Sequence, residues 1–136
     1  MAKQIKTNIS IEEYEFLDAK GNHLFTISFN PADIDIARRY DKVVEYLNEA
    51  AKKKLETQEA LFELGDGLKE KLDGLFNADI STVIFSVMNP FTPLANGKLY
   101  VEEIVEQLGK VIETEMNIRL KKVQSRQNKY TAKYHK

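Results

Sequence analysis

The sequence predicts an α+β fold that is mostly α-helical, with an N-terminal antiparallel β-hairpin packed on a bundle of one long, two short and one long C-terminal helix. Apolar and polar residues alternate with period two within residues 11–29, whereas apolar residues recur every three or four positions through most of residues 31–123. A chain of 136 residues, 43% of them hydrophobic, suits a single domain. We expect a hairpin at 11–29, a helical body at 31–123 and a basic, frayed tail at 124–136.

The hairpin is predicted from two runs with aromatic and β-branched residues on one face. The connector at residues 18–22 contains Gly21, which suits a turn that needs a positive φ. Residues 5–9 also alternate, so a third strand there stays open. The inward-facing set of the two runs is Tyr14, Phe16, Phe25, Ile27 and Phe29.

A long helix is predicted to follow, from Asn30 to about Ala60. Asn30 is assigned as the N-cap, Pro31 as the first helical residue and Asp33 as a partner for the helix dipole. A helix of about 27 residues would be about 40 Å long. Its predicted apolar stripe is Ile34, Ala37, Tyr40, Val44, Leu47, Ala51 and Leu55.

The middle of the chain predicts two short helices. Glycines at 65 and 67 predict a break before a helix at 66–76, because each glycine costs about 1 kcal/mol in a helix interior. Asn77 to Asp79 predict the start of a short helix over 80–87, with a strand as the alternative because that stretch is rich in β-branched residues.

Two prolines and an Asn-Gly pair predict a loop over residues 88–97, pinned to the core by Phe91 and Leu94. The last helix follows, and its apolar periodicity stops at Val123. Its predicted stripe is Val101, Ile104, Val105, Leu108, Val111, Ile112, Met116, Leu120 and Val123.

The residue chemistry argues against an enzyme. The chain has no cysteine and only two histidines, His23 and His135, without partners nearby in sequence. Gly65-Asp66-Gly67 lacks the lysine and hydroxyl residue of a phosphate-binding loop. We therefore predict no catalytic, metal-binding or cofactor-binding residues. The absence of a signal sequence or membrane span predicts a cytoplasmic protein.

Charge is distributed unevenly along the chain. All 21 acidic residues lie at or before Glu115, and only basic charges follow. This pattern is typical of an interaction tail, although a solvated, cationic helix end is the simpler interpretation. The pI near 6.2 and the acidic body argue against a nucleic-acid-binding domain.

The apolar stripes predict a protein partner or self-association, because a helix of about 40 Å would project beyond a globule of this size. The alternative is that the stripes cover one another in a closed core. The candidate partner-binding residues are Ile34, Tyr40, Val44, Leu47, Val101, Leu108, Ile112, Arg119, Lys122 and Arg126.

The order of segments resembles the small tail assembly chaperones of long-tailed bacteriophages and prophages of Gram-positive bacteria. The resemblance rests on diffuse patterns rather than on a fingerprint, and it spans most of the chain. The matching stretches are Phe29-Asn30-Pro31-Ala32-Asp33, Arg39-Tyr40-Asp41, Val83-Ile84-Phe85, Asn89-Pro90, Asn96-Gly97-Lys98 and Arg126-Gln127-Asn128-Lys129-Tyr130.

The resemblance implies a non-enzymatic protein that binds the tape measure protein and helps to recruit the tail tube protein during tail assembly. It implies a homo-oligomer that acts in the bacterial cytoplasm and is absent from the mature virion. Two other classes compete: a structural phage component, such as a head–tail or tail connector, and a small nucleic-acid-binding regulator that uses the basic C-terminal tail.

Overall fold

Over the residues that the structure describes, a β-hairpin precedes four helices, which confirms the predicted α+β, mostly helical fold class. The computed structural model describes residues 1–9, 11–53 and 56–134. The predicted stripe residue Leu55 and the histidine His135 lie outside these residues. The elements in chain order are β1 (Glu12–Leu17), β2 (His23–Phe29), α1 (Ile34–Ala51), α2 (Gln58–Phe76), α3 (Ser81–Phe85) and α4 (Tyr100–Tyr134).

Strands β1 and β2 pair antiparallel, as predicted. Phe16 lies opposite Phe25, and their rings stack with centroids 4.6 Å apart. The carboxylate of Asp18 accepts hydrogen bonds from the backbone N–H groups of Lys20 and Asn22, and Gly21 takes a φ of +88°. The possible third strand is absent, because residues 5–9 form no strand in the described structure.

Helix α1 starts later and ends earlier than the sequence predicts. Its N-cap is Asp33, whose carboxylate accepts from the N–H of Asp35, while Asn30 accepts from Ala32 within a turn that precedes the helix. The helix ends at Ala51, and Thr57 caps the next helix by accepting from the N–H of Ala60. Its 18 residues span about 27 Å.

Helix α2 continues through Gly65 and Gly67, so the predicted break there is wrong. The fully buried side chains of Leu68, Leu72 and Leu75 explain why, because each contributes about 1.5–3 kcal/mol by burial. That gain exceeds the cost of the glycines.

A short helix, not a strand, follows at Ser81–Phe85, as the sequence favours. Its start is not at Asn77, however, because Asn77 ends α2 with a φ of 52°. The carboxylate of Asp73 in α2 accepts from the N–H groups of Ile80 and Ser81 at 3.0 and 2.8 Å. Helix α3 is thus capped from a neighbouring helix.

Helix α4 extends further than predicted. Its backbone is helical to Tyr134, whereas the apolar periodicity stops at Val123. The expected fraying of residues 124–136 stays a prediction. No proline or glycine follows Gly109, and Lys, Arg and Gln are good helix formers. In the part of the chain that the structure describes, α4 and the other helices lack a stretch long and apolar enough to cross a membrane.

One hydrophobic core joins these elements. Strand β2 packs its buried face towards the helices, and α1, α2 and α3 each contribute buried residues. Among the residues whose burial is described, helix α4 contributes the largest share, all from its first half. The buried core consists of Phe25, Ile27, Phe29, Ile36, Val43, Leu68, Leu72, Leu75, Ile84, Tyr100, Val101, Ile104, Val105, Leu108 and Ile112.

Candidate partner-binding surfaces

The apolar stripe of α4 continues beyond the core. Ile112 is 4% exposed and is its last buried member. Met116, one turn later, is half-buried, and Leu120 and Val123 are 45% and 43% exposed. These residues lie four, eight and eleven positions after Ile112, which places them on the same helix face. We call Met116, Leu120 and Val123 the distal stripe.

A single arginine ties the start of the distal stripe to the hairpin. The guanidinium of Arg119 lies 3.2 Å from Glu12 Oε1 and 3.3 Å from Asn30 Oδ1. Beyond it, the predicted contact residues Lys122 and Arg126 are exposed, as is Lys121. The distal stripe is therefore flanked by positive charge, and no acidic residue follows Glu115.

Three of the predicted contact residues on the final helix belong to the core instead. Val101 and Leu108 are each 1% exposed and Ile112 is 4% exposed. In this fold they are covered by the hairpin and the other helices, so the sequence pattern placed the surface too close to the start of the helix. For these three residues the alternative interpretation holds, namely that the apolar stripes cover one another in a closed core.

The predicted contact residues on α1 also face the body. Tyr40, Val44 and Leu47 are half-buried against the core, whereas Ile34 is 68% exposed in the first turn. The buried residues of α1 are Ile36 and Val43, which the predicted stripe omitted. A stripe through Ile36, Tyr40, Val43 and Leu47 has equally good helical spacing and would have found them.

Tyr40 spans the space between α1 and α4. Its hydroxyl donates to the carbonyl oxygen of Val105 at 2.9 Å, and its ring lies over Gly109. A Cβ atom on Gly109 would lie 2.7 Å from the ring carbon that bears the hydroxyl. Burial and neighbouring carboxylates, Asp41 first, raise the pKa of this phenol. Tyr40 thus joins two helices, although it stays half-buried and also lines a cavity between α1 and α4.

Sequence reasoning missed a groove between the hairpin and α4. It is a cavity of about 750 Å³. Residues 14–19 line one wall consecutively, and Glu103, Gln107 and Val111 line the other from successive turns of α4. The aromatic alternation of β1 was the available signal, because Tyr14 and Phe16 remain half-buried here. We call this cavity the hairpin groove.

The ionisable groups form structural contacts. Lys98 bonds Glu106, which raises the pKa of the lysine and lowers the pKa of the carboxylate, and Glu103 lies 3.9 Å from the same amine. His23 is exposed and its Nε2 lies 2.8 Å from the Thr26 hydroxyl. Among the residues with described positions, no three His, Cys, Asp or Glu side chains cluster in a way that would hold a metal.

Comparisons of the chain with protein-family models, with curated proteins and with solved structures find no match in any of the three. The resemblance to phage tail assembly chaperones therefore remains a prediction from the sequence.

Proposed function

We propose that this chain is a non-enzymatic tail assembly chaperone of a long-tailed bacteriophage or prophage, and that it binds apolar helical segments of the tape measure protein through the distal stripe of α4. The observation that carries the proposal is the continuity of the stripe: the same face that is buried up to Ile112 is exposed from Leu120 to Val123. A partner helix laid along this face would extend the existing core.

The charges around the distal stripe predict the kind of helix that binds it. Lys121, Lys122 and Arg126 are exposed beside the apolar residues. A partner helix with acidic residues flanking its own apolar stripe would be attracted, whereas a second copy of the same basic segment would be repelled. Binding should weaken as salt is raised, because exposed charges are screened.

On this proposal the protein acts in the bacterial cytoplasm, keeps the tape measure protein soluble while tail tube subunits assemble around it, and is absent from the finished virion. Exposed apolar surface suits such a transient role, because it captures another apolar helix without any covalent chemistry. A structural connector, by contrast, would remain in the particle.

Co-expression with tape measure fragments tests the proposal. The distal-stripe variant Leu120→Asp/Val123→Asp should lose at least about tenfold in captured fragment, because two apolar contacts are replaced by charge. Both side chains are 43–45% exposed, so circular dichroism should show an intact fold. The matched control is Ile34→Asp, a 68% exposed isoleucine on α1, which should capture as much fragment as the parent chain.

Equal capture by the double variant and the parent would overturn the proposed surface, and capture of no fragment by the parent would overturn the function. The basic end of α4 gives the regulator alternative its own test. A salt-sensitive shift of duplex DNA that disappears in Lys121→Ala/Lys122→Ala/Arg126→Ala, together with no capture, would favour nucleic-acid binding.

A further inference from the structure

The hairpin groove runs along an open edge of the sheet. In the described structure the backbone of β1 pairs with no strand except β2, so its other edge carries unpaired backbone groups. Four consecutive residues of β1, 14–17, line the groove together with the first two residues of the turn, and alternate residues alone would line a single face; the groove therefore follows the strand edge. The groove is therefore shaped for a short additional strand.

The walls of the groove define what such a strand needs. Its floor is apolar, with Leu24, Leu94 and Val111 beside the β1 aromatics. Its rim is acidic, because Glu15 and Glu103 line it. A matching strand carries apolar residues at alternate positions and lysine or arginine between them.

The N-terminal segment of this chain has that pattern. Ile5, Thr7 and Ile9 alternate with Lys6 and Asn8. Ile5 and Ile9 are 87% and 74% exposed, and residues 1–9 form no helix or strand. The segment thus has the alternation of a β-strand without a pairing partner, and the groove contains a strand edge without a pairing partner.

We propose that residues 3–9 of a second copy of this chain add to β1 in the hairpin groove as an antiparallel third strand. The register that places Ile5 opposite Phe16 also places Thr7 opposite Tyr14 and Lys6 opposite Glu15. Directly opposed residues share a face, so Ile5 and Thr7 face the groove and the lysine meets the carboxylate on the outer face. Ile9 falls opposite Glu12 at the start of β1, outside the groove lining. The inference does not rest on the proposed function, because the distal stripe takes no part in it.

Turn chemistry favours a second copy over the segment's own chain. For the segment to fold back on its own β1 in this register, Ser10 and Ile11 would have to form a two-residue turn. A type I′ turn needs positive φ at both central residues, which the β-branched Ile11 resists, and a type II′ turn needs it at the first, where glycine is preferred and this chain has Ser10. Exchange between two copies needs no such turn.

Cysteine pairing tests the arrangement directly, since the chain has no cysteine of its own. Mixing the single variants Lys6→Cys and Glu15→Cys under mild oxidation should yield a disulfide-linked heterodimer on a non-reducing gel, because opposed residues of antiparallel strands are close enough for a disulfide. The matched control mixes Ile34→Cys, also exposed, with Glu15→Cys and should yield at least about tenfold less crosslink.

Charge exchange provides the second measurement. A labelled peptide of residues 1–11 should bind the chain lacking residues 1–9, bind at least about fivefold more weakly to that chain carrying Glu15→Lys, and recover when the peptide carries Lys6→Glu. Three outcomes would overturn the proposal: crosslinking no greater than in the control, an intramolecular disulfide in the chain carrying both Lys6→Cys and Glu15→Cys, or failure of the reversed charges to restore binding.

Discussion

Two tyrosines of α1 pack where a neighbouring helix carries a glycine. Tyr46 lies over Gly67 of α2 and donates to the carbonyl oxygen of Leu64 at 3.3 Å, and Tyr40 makes the equivalent contact at Gly109 of α4. A Cβ atom at either glycine would overlap the phenol ring. These glycines therefore permit close packing of helices, whatever they cost in helix propensity.

Replacing these glycines by alanine should distinguish the effect of tyrosine packing on stability from the effect of helix propensity. We expect Gly67→Ala and Gly109→Ala each to lower the free energy of unfolding by about 1–3 kcal/mol, because the tyrosine must move and its hydrogen bond weakens. Gly74→Ala is the matched control: Gly74 lies in α2, and a Cβ added there would meet no neighbouring atom within 4 Å, so this change should raise stability by about 0.5–1 kcal/mol.

Urea denaturation of the three variants measures both effects. A gain in stability in all three variants would show that the tyrosine contacts do not constrain the helices.

The buried Tyr100 makes the stability of the protein sensitive to alkaline pH. Its hydroxyl donates to the carbonyl oxygen of Ile84 at 2.6 Å, and burial raises the pKa of the phenol to about 12. In the unfolded chain this phenol ionises near pH 10. The contribution of Tyr100 to the free energy of unfolding is therefore fully present below pH 10 and falls as the pH rises towards 12. Tyr100→Phe should be less stable at pH 8, yet lose less stability between pH 10 and 12. Equal losses in both proteins would contradict this assignment.

At the scale of elements, periodicity predicted the kind of element well and the boundaries poorly. The alternation of Phe25, Ile27 and Phe29 identified the hairpin, because one face of that strand is buried. The helix boundaries depend on capping and tertiary contacts instead. Thr57 caps the start of a helix where the apolar pattern has no gap. The contact with Tyr46 explains why Gly67, which suggested a helix break, lies inside a helix.

The candidate surface was predictable in part, because periodicity identifies the apolar face of a helix but not what covers it. Sequence placed an apolar stripe on α4, but only the fold determines that Leu108 is covered while Leu120 is not. The hairpin groove depends on how β1 and α4 are juxtaposed; the aromatic alternation of β1 signals a half-buried strand but not where α4 lies beside it.

The connection between α2 and α3 depends on one carboxylate. Asp73 accepts two backbone N–H groups and also the hydroxyl of Ser81 at 3.0 Å, and Ser81 is buried. Asp73→Ala should lower the free energy of unfolding by about 1–3 kcal/mol, because it leaves these donors without a partner. Asp79 is exposed, and within the part of the chain that the structure describes its carboxylate accepts a single hydrogen bond, from the hydroxyl of Thr82; Asp79→Ala should cost less than about 1 kcal/mol. A smaller loss for Asp73→Ala than for Asp79→Ala would exclude the capping role.

At the scale of the whole molecule, α4 divides the chain into a packed body and an exposed end. Its 35 residues would span about 52 Å, and among the residues up to 127, whose burial is described, the last buried one is Ile112. The other helices and the hairpin surround only the first part. The exposed part combines apolar and basic residues, which is the combination that a protein partner would cover.

Hydrogen–deuterium exchange of the chain, free and bound to a tape measure fragment, tests the central claim most directly. Backbone amides around Met116, Leu120 and Val123 should exchange at least about tenfold more slowly in the complex, because a bound partner suppresses local opening of the exposed helix. Amides at the exposed start of α1, near Ile34, should be unchanged. Protection confined to α1 or the hairpin, with none between residues 113 and 127, would contradict the proposed binding surface.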